Sequence, residues 1–322
     1  MNKKKLFLGI DTSNYTTSVA LCDEDGNVLL NLKKLLPVKE GERGLRQSDA
    51  LFAHTKNLPI IMEQLGDHLK ANPDCEIVAV GYSATPRDIE GSYMPCFLAG
   101  KAVAETSAAV LGCPLYSFSH QNGHVMAALY SSHQTRLLFS EEDFAAFHVS
   151  GGTTELLIIH PDENGFIVEQ IGGTSDMNAG QAIDRTGVMM GLSFPCGKEM
   201  EQICNEAGEI PHAKTKIAVS GLNCNLSGLE NLTAKLYREC GDKAKTCAYC
   251  FDFIADTLEA LTDNLRDQFG NIPVIFAGGV MSNKRIGLQL AKIGNTYFSE
   301  PEFSSDNAAG IALLCRRKYL VK

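Results

Sequence analysis

A three-strand pattern is written twice in this chain. Leu6 to Ser13 reads as an apolar strand, Thr17 to Cys22 as a second, Asp23 to Asn27 as a turn, and Val28 to Leu32 as a third. The order returns with Ala145 to Ser150, Thr154 to His160, a turn from Pro161 to Gly165, and Phe166 to Ile171. In each copy a short polar loop separates the first two strands. A repeated meander of this kind demands two cores of like plan, which constrains the fold more than any other feature of the sequence.

The expected fold class is therefore α/β, with duplicated lobes around a central cleft, on the plan of actin, the sugar kinases and the heat-shock ATPases. At 322 residues there is room for about two domains. The boundaries expected are 1–130 for the first lobe and 131–322 for the second, with an insertion around 207–240. The second copy carries Val149-Ser150-Gly151-Gly152 in its first loop. Adjacent glycines let backbone N–H groups close on phosphate oxygens with no Cβ in the way, although the same residues also make a plain tight turn.

Composition narrows the partners. A net charge of −9 excludes holding a long nucleic acid by bulk charge, so an RNA partner needs a local basic patch or a helper protein. Beyond Arg316-Arg317-Lys318, basic clusters are few. The 11 cysteines are odd in number, scattered, and often within apolar segments, as at Cys22, Cys113 and Cys315, so they read as reduced thiols. The basic start Met1 to Lys5 precedes a strand too short for a signal-peptide core, and no run nears the ~20 apolar residues of a membrane span. A cytoplasmic protein with no membrane partner is expected.

Along the chain, Lys33 to Arg46 reads as a loop. A helix is expected from Ser48 to about Lys70, with Leu51, His54, Leu58, Ile61 and Leu65 at helical spacing. A strand follows from Ile77 to Tyr82, and the loop Ser83 to Asp88 lies at its carboxyl end, where open α/β sheets bind ligands. Then come a helix from Tyr93 to Leu111, a strand from Leu115 to Phe118, and a helix opened by Ser119 to His124. His120 and His124 are four apart and share a helix face, so they read either as a metal pair or as surface and capping histidines. Gln121 stands where a His-Glu-x-x-His protease needs its general base, which argues against hydrolysis by that route.

Further on, a helix is expected from Asp176 to Leu192, with Asp184 either a cap or an ion-pair partner, and irregular chain from Ile210 to Glu230. A long helix from about Lys243 to Gln268 carries Cys247 and Cys250. Their Cys-Ala-Tyr-Cys spacing suggests redox or zinc chemistry, but the periodic Phe251, Ile254, Leu258 and Leu261 favour core thiols. A strand from Pro273 to Ala277 leads into Gly278 to Asn283, a glycine turn suited to a nucleotide. Asp306 precedes the C-terminal helix and reads by itself as an N-cap.

In combination these motifs resemble the TsaD/YgjD family, the tRNA N6-threonylcarbamoyladenosine transferases once labelled O-sialoglycoprotein endopeptidases. The resemblance rests on Gly-Ile-Asp-Thr-Ser near the start, the His-x3-His pair, Val-Ser-Gly-Gly, Ala179 to Asp184, Ser227-Gly228-Leu229, Ala277 to Val280 with Asn283, and Asp306-Asn307. It implies that His120, His124 and Asp306 hold one divalent metal, iron or zinc. His148, just ahead of Val-Ser-Gly-Gly, is expected as a fourth ligand, with a strand histidine pointing elsewhere as the alternative. The resemblance further implies that Ser150, Gly151 and Gly152 hold the phosphate of an adenylate, that Asp184 and Gly197 contact its ribose and base, and that Asn283 makes another nucleotide contact. Asp11 and Ser13, in the first lobe's matching loop, join that adenylate set. The substrate implied is threonylcarbamoyl-AMP, or ATP/AMP as the bound nucleotide, and the partners are tRNA with TsaB-like and TsaE-like helper subunits.

The chain also departs from the family's pattern. Gly-Gly-His-Thr becomes Gly151-Gly152-Thr153-Thr154, and Asp-Asp-Ala-Ala-Gly becomes Asp176-Met177-Asn178-Ala179-Gly180. Gln181 replaces a glutamate, Glu230 a lysine, and Cys196-Gly197-Lys198 a Gly-Gly-Pro loop. Charge changes around a site alter what enters it. The expected activity is transfer of threonylcarbamoyl to the N6 amine of the adenosine beside the anticodon. The alternatives are a carbamoyltransferase-like paralogue with another acceptor, and a nucleotide-binding partner without catalysis. The histidine pair disfavours the last of these, and also a sugar kinase, which has no use for a histidine metal site.

Overall fold

The computed structural model describes residues 3–13, 15–37, 45–140, 142–162 and 165–321. The first meander is β1 (Lys4–Thr12), β2 (Thr16–Asp23) and β3 (Val28–Leu35). The third strand thus runs into the expected loop, the middle of which, 38–44, lies outside the described residues. Next come α1 (Gln47–Ala71), β4 (Cys75–Thr85), α2 (Phe97–Leu111), β5 (Leu115–Ser119) and α3 (His120–Ser131). The strands lie in the order β3-β2-β1-β4-β5, antiparallel through the meander and parallel from β1 to β5.

From Leu6 onward every residue of β1 is buried, because both faces of the sheet are covered. Alternation sorts the side chains. Leu6, Leu8 and Ile10 enter one core with Leu58, Ile61 and Leu65 of α1 and Ala104 and Ala108 of α2. Phe7, Gly9 and Asp11 point to the other face, so a residue two beyond Gly9 necessarily faces what covers Gly9.

The second sheet begins with β6 (Phe144–Val149), β7 (Thr154–Asp162) and β8 (Gly165–Thr174), followed by α4 (Ala179–Met189), α5 (Gly197–Glu206), β9 (Ala218–Ser220) and β10 (Asn223–Asn225). It continues through α6 (Gly228–Cys240), α7 (Lys243–Phe269), β11 (Val274–Ala277), α8 (Lys284–Leu290) and β12 (Thr296–Phe298), and α9 (Ala309–Leu320) closes the chain. The strand order is β12-β11-β6-β7-β8-β10-β9. Taken from β8 to β12 it repeats the arrangement of the first sheet strand for strand, with β10 and β9 added beside β8. Phe147, Phe276 and Phe298 stack across the three parallel strands, with centroids 5.0 and 5.4 Å apart.

By compactness the chain divides into Met1–Phe139, Pro161–Val168 and Ser305–Lys322 as one unit, and Ser140–His160 and Glu169–Ser304 as the other. In the first unit α9 covers β1. A Cβ on Gly9 would overlap the backbone of Ala308 and Ala312, and Phe7 meets Tyr319 edge to face at 5.4 Å. The described residues contain no helix long and apolar enough to cross a membrane.

Several expected elements are redrawn. The helix expected from Asp176 begins only at Ala179, because the Asp176 carboxylate accepts hydrogen bonds from the N–H groups of Leu226 (2.8 Å) and Met177 (2.6 Å) and from the Ser227 hydroxyl (2.5 Å). The stretch read as irregular holds a small hairpin and the start of α6. In α7, Cys247 and Cys250 are buried and free, in one core with Phe251, Ile254 and Leu258, and burial pushes the Cys250 thiol up to about 12.

Candidate metal centre

The two histidines owe their places to the start of α3. Ser119 is its N-cap, accepting from the Asn122 N–H at 3.1 Å. Asp88 reinforces the cap by accepting from the Ser119 hydroxyl at 3.0 Å and the Asn122 amide at 2.7 Å. His120 is then the first helical residue and His124 lies one turn further on, with the rings edge to face at 4.3 Å between centroids.

The carboxylate arrives by a helix crossing. A Cβ on Gly310 of α9 would overlap the Gly123 carbonyl of α3, and one on Gly123 would stand 2.9 Å from Ile311 Cδ1. Only glycine at this crossing permits the two backbones to approach so closely. The turn ahead of α9 is held by Asn307, whose Oδ1 accepts from the Ala309 N–H at 3.0 Å, and the helix cap itself is Ala308. Asp306 is therefore not the cap, and it faces the imidazoles.

His120 Nε2 and His124 Nε2 are 2.9 Å apart. Asp306 Oδ1 lies 3.3 Å from His124 Nε2 and 3.6 Å from His120 Nε2. Ligands on arms of about 2.0–2.2 Å stand about 2.8–3.1 Å from one another in an octahedral shell and about 3.3–3.6 Å in a tetrahedral one, so separations of 2.9, 3.3 and 3.6 Å fit one ion with little adjustment. Among the described residues these three form a group able to hold a metal. Two imidazoles and one carboxylate suit zinc or iron better than magnesium or calcium, and three protein donors leave a position open for water or substrate.

Burial alone would raise the Asp306 carboxyl, but hydrogen bonds and charge from His120 and His124 outweigh it and hold the group well below the usual carboxylate range. Burial likewise acts to lower His120, yet the carboxylates of Asp11 and Asp306 carry it up to about 10.

The first hairpin loop sits behind this group. Asp11 is fully buried, and its Oδ1 accepts from His120 Nδ1 at 2.9 Å and from the Ser83 hydroxyl. The Ser13 N–H approaches Asp11 Oδ2 at 3.3 Å, while the buried Ser13 hydroxyl has no hydrogen-bond partner among the described residues. His54, missed as a site residue because it fills an inward position of α1, fixes this loop. Its Nε2 donates to the Ser13 carbonyl at 2.7 Å, so Nδ1 accepts from the Thr17 hydroxyl at 2.8 Å.

In the second unit, the Ser150 hydroxyl accepts from the N–H groups of Gly152 (3.3 Å) and Thr153 (3.1 Å), which pre-folds the loop. Gly151 and Gly152 are exposed at its tip. A Cβ on Gly180 would stand 2.6 Å from Gly151 Cα, and the Gly180 N–H donates to the Ser150 carbonyl at 3.1 Å, so α4 begins directly on the loop. Asp184 Oδ1 accepts from the Cys196 N–H at 2.8 Å, one residue before Gly197 opens α5, and burial raises its carboxyl despite that bond. Asn283 caps α8 by accepting from the Ile286 N–H at 3.1 Å. His148 stands half-buried on β6, in register with Glu155 of β7 and Ala277 of β11.

The family model described as "TsaD: tRNA N6-adenosine threonylcarbamoyltransferase" matches residues 38–313. The chain belongs to the TsaD family. Solved structures show the same fold at low identity. Full-length HypF, described in a phosphate- and nucleotide-bound form, is 12% identical with a TM-score of 0.59, covering 99% of this chain and 46% of its own. This chain thus spans about half the length of HypF. The ROK family glucokinase of Streptomyces griseus, described with glucose and AMPPNP, is 13% identical at a TM-score of 0.50, covering 96% of this chain and 98% of its own. Component A of the Acidaminococcus fermentans (R)-2-hydroxyglutaryl-CoA dehydratase is 13% identical at a TM-score of 0.50, covering 98% of this chain and 99% of its own. These likenesses establish the actin-like α/β fold.

Seen as a TsaD-family chain, several departures from the family pattern have a local partner. Gln181 Oε1 accepts from the Asn178 N–H at 3.3 Å, at the first turn of α4. Glu230 pairs with Arg185 at 2.9 Å on an exposed surface. Met177 is buried in the second core, and Thr153 donates its N–H to Ser150. The basic C-terminal cluster is mostly committed: Arg316 donates to the Glu24 carbonyl, and Arg317 to the carbonyls of Gly165, Asp162 and Leu138.

Proposed function

We propose that this chain transfers a threonylcarbamoyl group from threonylcarbamoyl-AMP to the N6 amine of the adenosine beside the anticodon in tRNA. The observation that carries the reading is the convergence of His120, His124 and Asp306 in a TsaD-family chain. These residues would hold one iron or zinc ion, with His148 as a fourth ligand. When bound, such an ion supplies Lewis-acid polarisation of a carbonyl or phosphoryl oxygen.

The chain's own residues do the rest. The exposed Gly151-Gly152 tip offers backbone N–H groups to the adenylate phosphate, with Ser150 fixing the loop's shape. Asp184 and Gly197 contact ribose and base, Asn283 adds a nucleotide contact, and Ser13 with Asp11 completes the set from the first hairpin. The exocyclic amine attacks the carbamoyl carbon, the bond to the phosphate oxygen breaks, the amine loses a proton, and AMP leaves with the bonding electrons. Helper subunits of TsaB-like and TsaE-like kind would bring tRNA to this acidic chain.

A second reading keeps the chemistry and changes the acceptor, and the charge reversal at Glu230, now paired with Arg185, favours testing it. The assay is purified protein with threonylcarbamoyl-AMP and unmodified tRNA, with and without helpers, reading modified nucleoside and released AMP. Modified adenosine supports tRNA as acceptor. AMP release only with another amine or hydroxyl acceptor supports the second reading, and none with any acceptor excludes transfer. In the same preparations, His148→Leu should weaken metal retention against a chelator, and unchanged retention removes His148 from the ligand set.

A further inference from the structure

We propose that Asp11 is a positioning residue of the metal centre, its carboxylate holding the His120 ring so that Nε2 is the nitrogen turned toward His124 and Asp306. The inference rests on the metal reading above and deepens it, since it moves Asp11 from the adenylate set to the support of a ligand.

The placement follows from strand alternation. Asp11 lies two residues beyond Gly9, on the face of β1 that α9 covers, and is fully removed from solvent. A buried carboxylate is costly unless its oxygens are satisfied, and here Oδ1 takes both the Ser83 hydroxyl and His120 Nδ1, the latter at 2.9 Å. An ionised carboxylate can only accept, so the proton in that contact belongs to Nδ1. In the neutral ring the lone pair then sits on Nε2, the atom 2.9 Å from His124 Nε2 and 3.6 Å from Asp306 Oδ1.

A second carboxylate behind a ligand histidine fixes ring orientation and raises ligand basicity, and loss of such support typically costs about 10- to 100-fold in metal affinity. Ser83 is the next link, donating to the same oxygen from the carboxyl end of β4.

The test compares wild-type protein with Asp11→Asn, Ser83→Ala and His124→Ala, each stripped by chelator and titrated with Zn(II) against a chromophoric competitor. Ring nitrogens of the Zn(II)-loaded proteins are followed by 15N NMR. Expected is a loss of about 10- to 100-fold in Zn(II) affinity for Asp11→Asn, with His120 no longer confined to the Nδ1–H tautomer. Ser83→Ala should show a smaller loss in the same direction. A correctly folded Asp11→Asn protein with wild-type affinity and an unchanged tautomer would overturn the inference. If that variant fails to fold, unaltered affinity in Ser83→Ala overturns it instead. Failure of the wild type to bind Zn(II) saturably, or full binding by His124→Ala, would bring down the metal reading itself, a result separate from the others.

Discussion

His54 shows how a single side chain is bound to one protonation state. Its two ring nitrogens serve one donor and one acceptor, and burial pushes its pKa below the ordinary histidine value, against the opposing pull of the Ser13 carbonyl and of Asp11 and Asp306. The folded state therefore prefers the neutral ring, while the unfolded chain takes up a proton below about pH 6.5. Stability contributed by this residue is complete above that pH, falls as pH drops through it, and levels off below the depressed folded value. The gap in thermal unfolding temperature between wild type and His54→Gln should thus be wider at pH 7.5 than at pH 5.5. A gap independent of pH would contradict a neutral buried His54.

Among elements, the crossing of α3 and α9 decides whether the three candidate ligands meet, because it carries the imidazoles on one helix and Asp306 at the entrance of the other. Gly310→Val puts a branched side chain where a Cβ alone already overlaps the Gly123 carbonyl. The expected outcome is a loss of about 1–3 kcal/mol or more in denaturant unfolding, together with loss of metal retention in whatever protein remains folded. Retained metal at wild-type affinity would show that the crossing is not what sets the three ligands. Gly180→Ala acts in the same way in the second unit, lifting α4 from the Ser150-Gly151 loop. AMP affinity by calorimetry should fall by about tenfold or more, as expected when a pre-formed loop is displaced by about an ångström, while metal retention stays unchanged.

At the scale of the whole chain, the doubled meander was open to reading because it is a local pattern, and β1 to β3 and β6 to β8 fall where short apolar runs bounded by polar turns put them. Helices α1 and α7 were equally plain, since each buries a long periodic stripe. Helices α5 and α6 were not. They bury only Met200 with Cys204, and Leu229 with Thr233, too thin a stripe to stand out from polar chain. The same division holds in the site. His120 and His124 announce themselves by their spacing of four, and Asp306 by its family motif. The Asp11–His120 contact spans 109 positions and the Gly123–Gly310 crossing joins a helix from the middle of the chain to its last one, so no local spacing reveals either. Net charge acts at this scale too. With −9 overall and Arg316 and Arg317 already engaged by backbone carbonyls, tRNA binding by this protein alone should be weak at physiological salt and should strengthen on adding helper subunits in a filter-binding assay.

The central claim is that two imidazoles of α3 and the carboxylate before α9 hold one ion. X-ray absorption at the metal edge on anaerobically purified protein addresses it directly, alongside elemental analysis. The predicted result is one iron or zinc per chain in a shell of nitrogen and oxygen at about 2.0–2.2 Å, absent in His120→Ala and His124→Ala. A shell of sulfur at about 2.3 Å, or an ion retained in both variants, would contradict it.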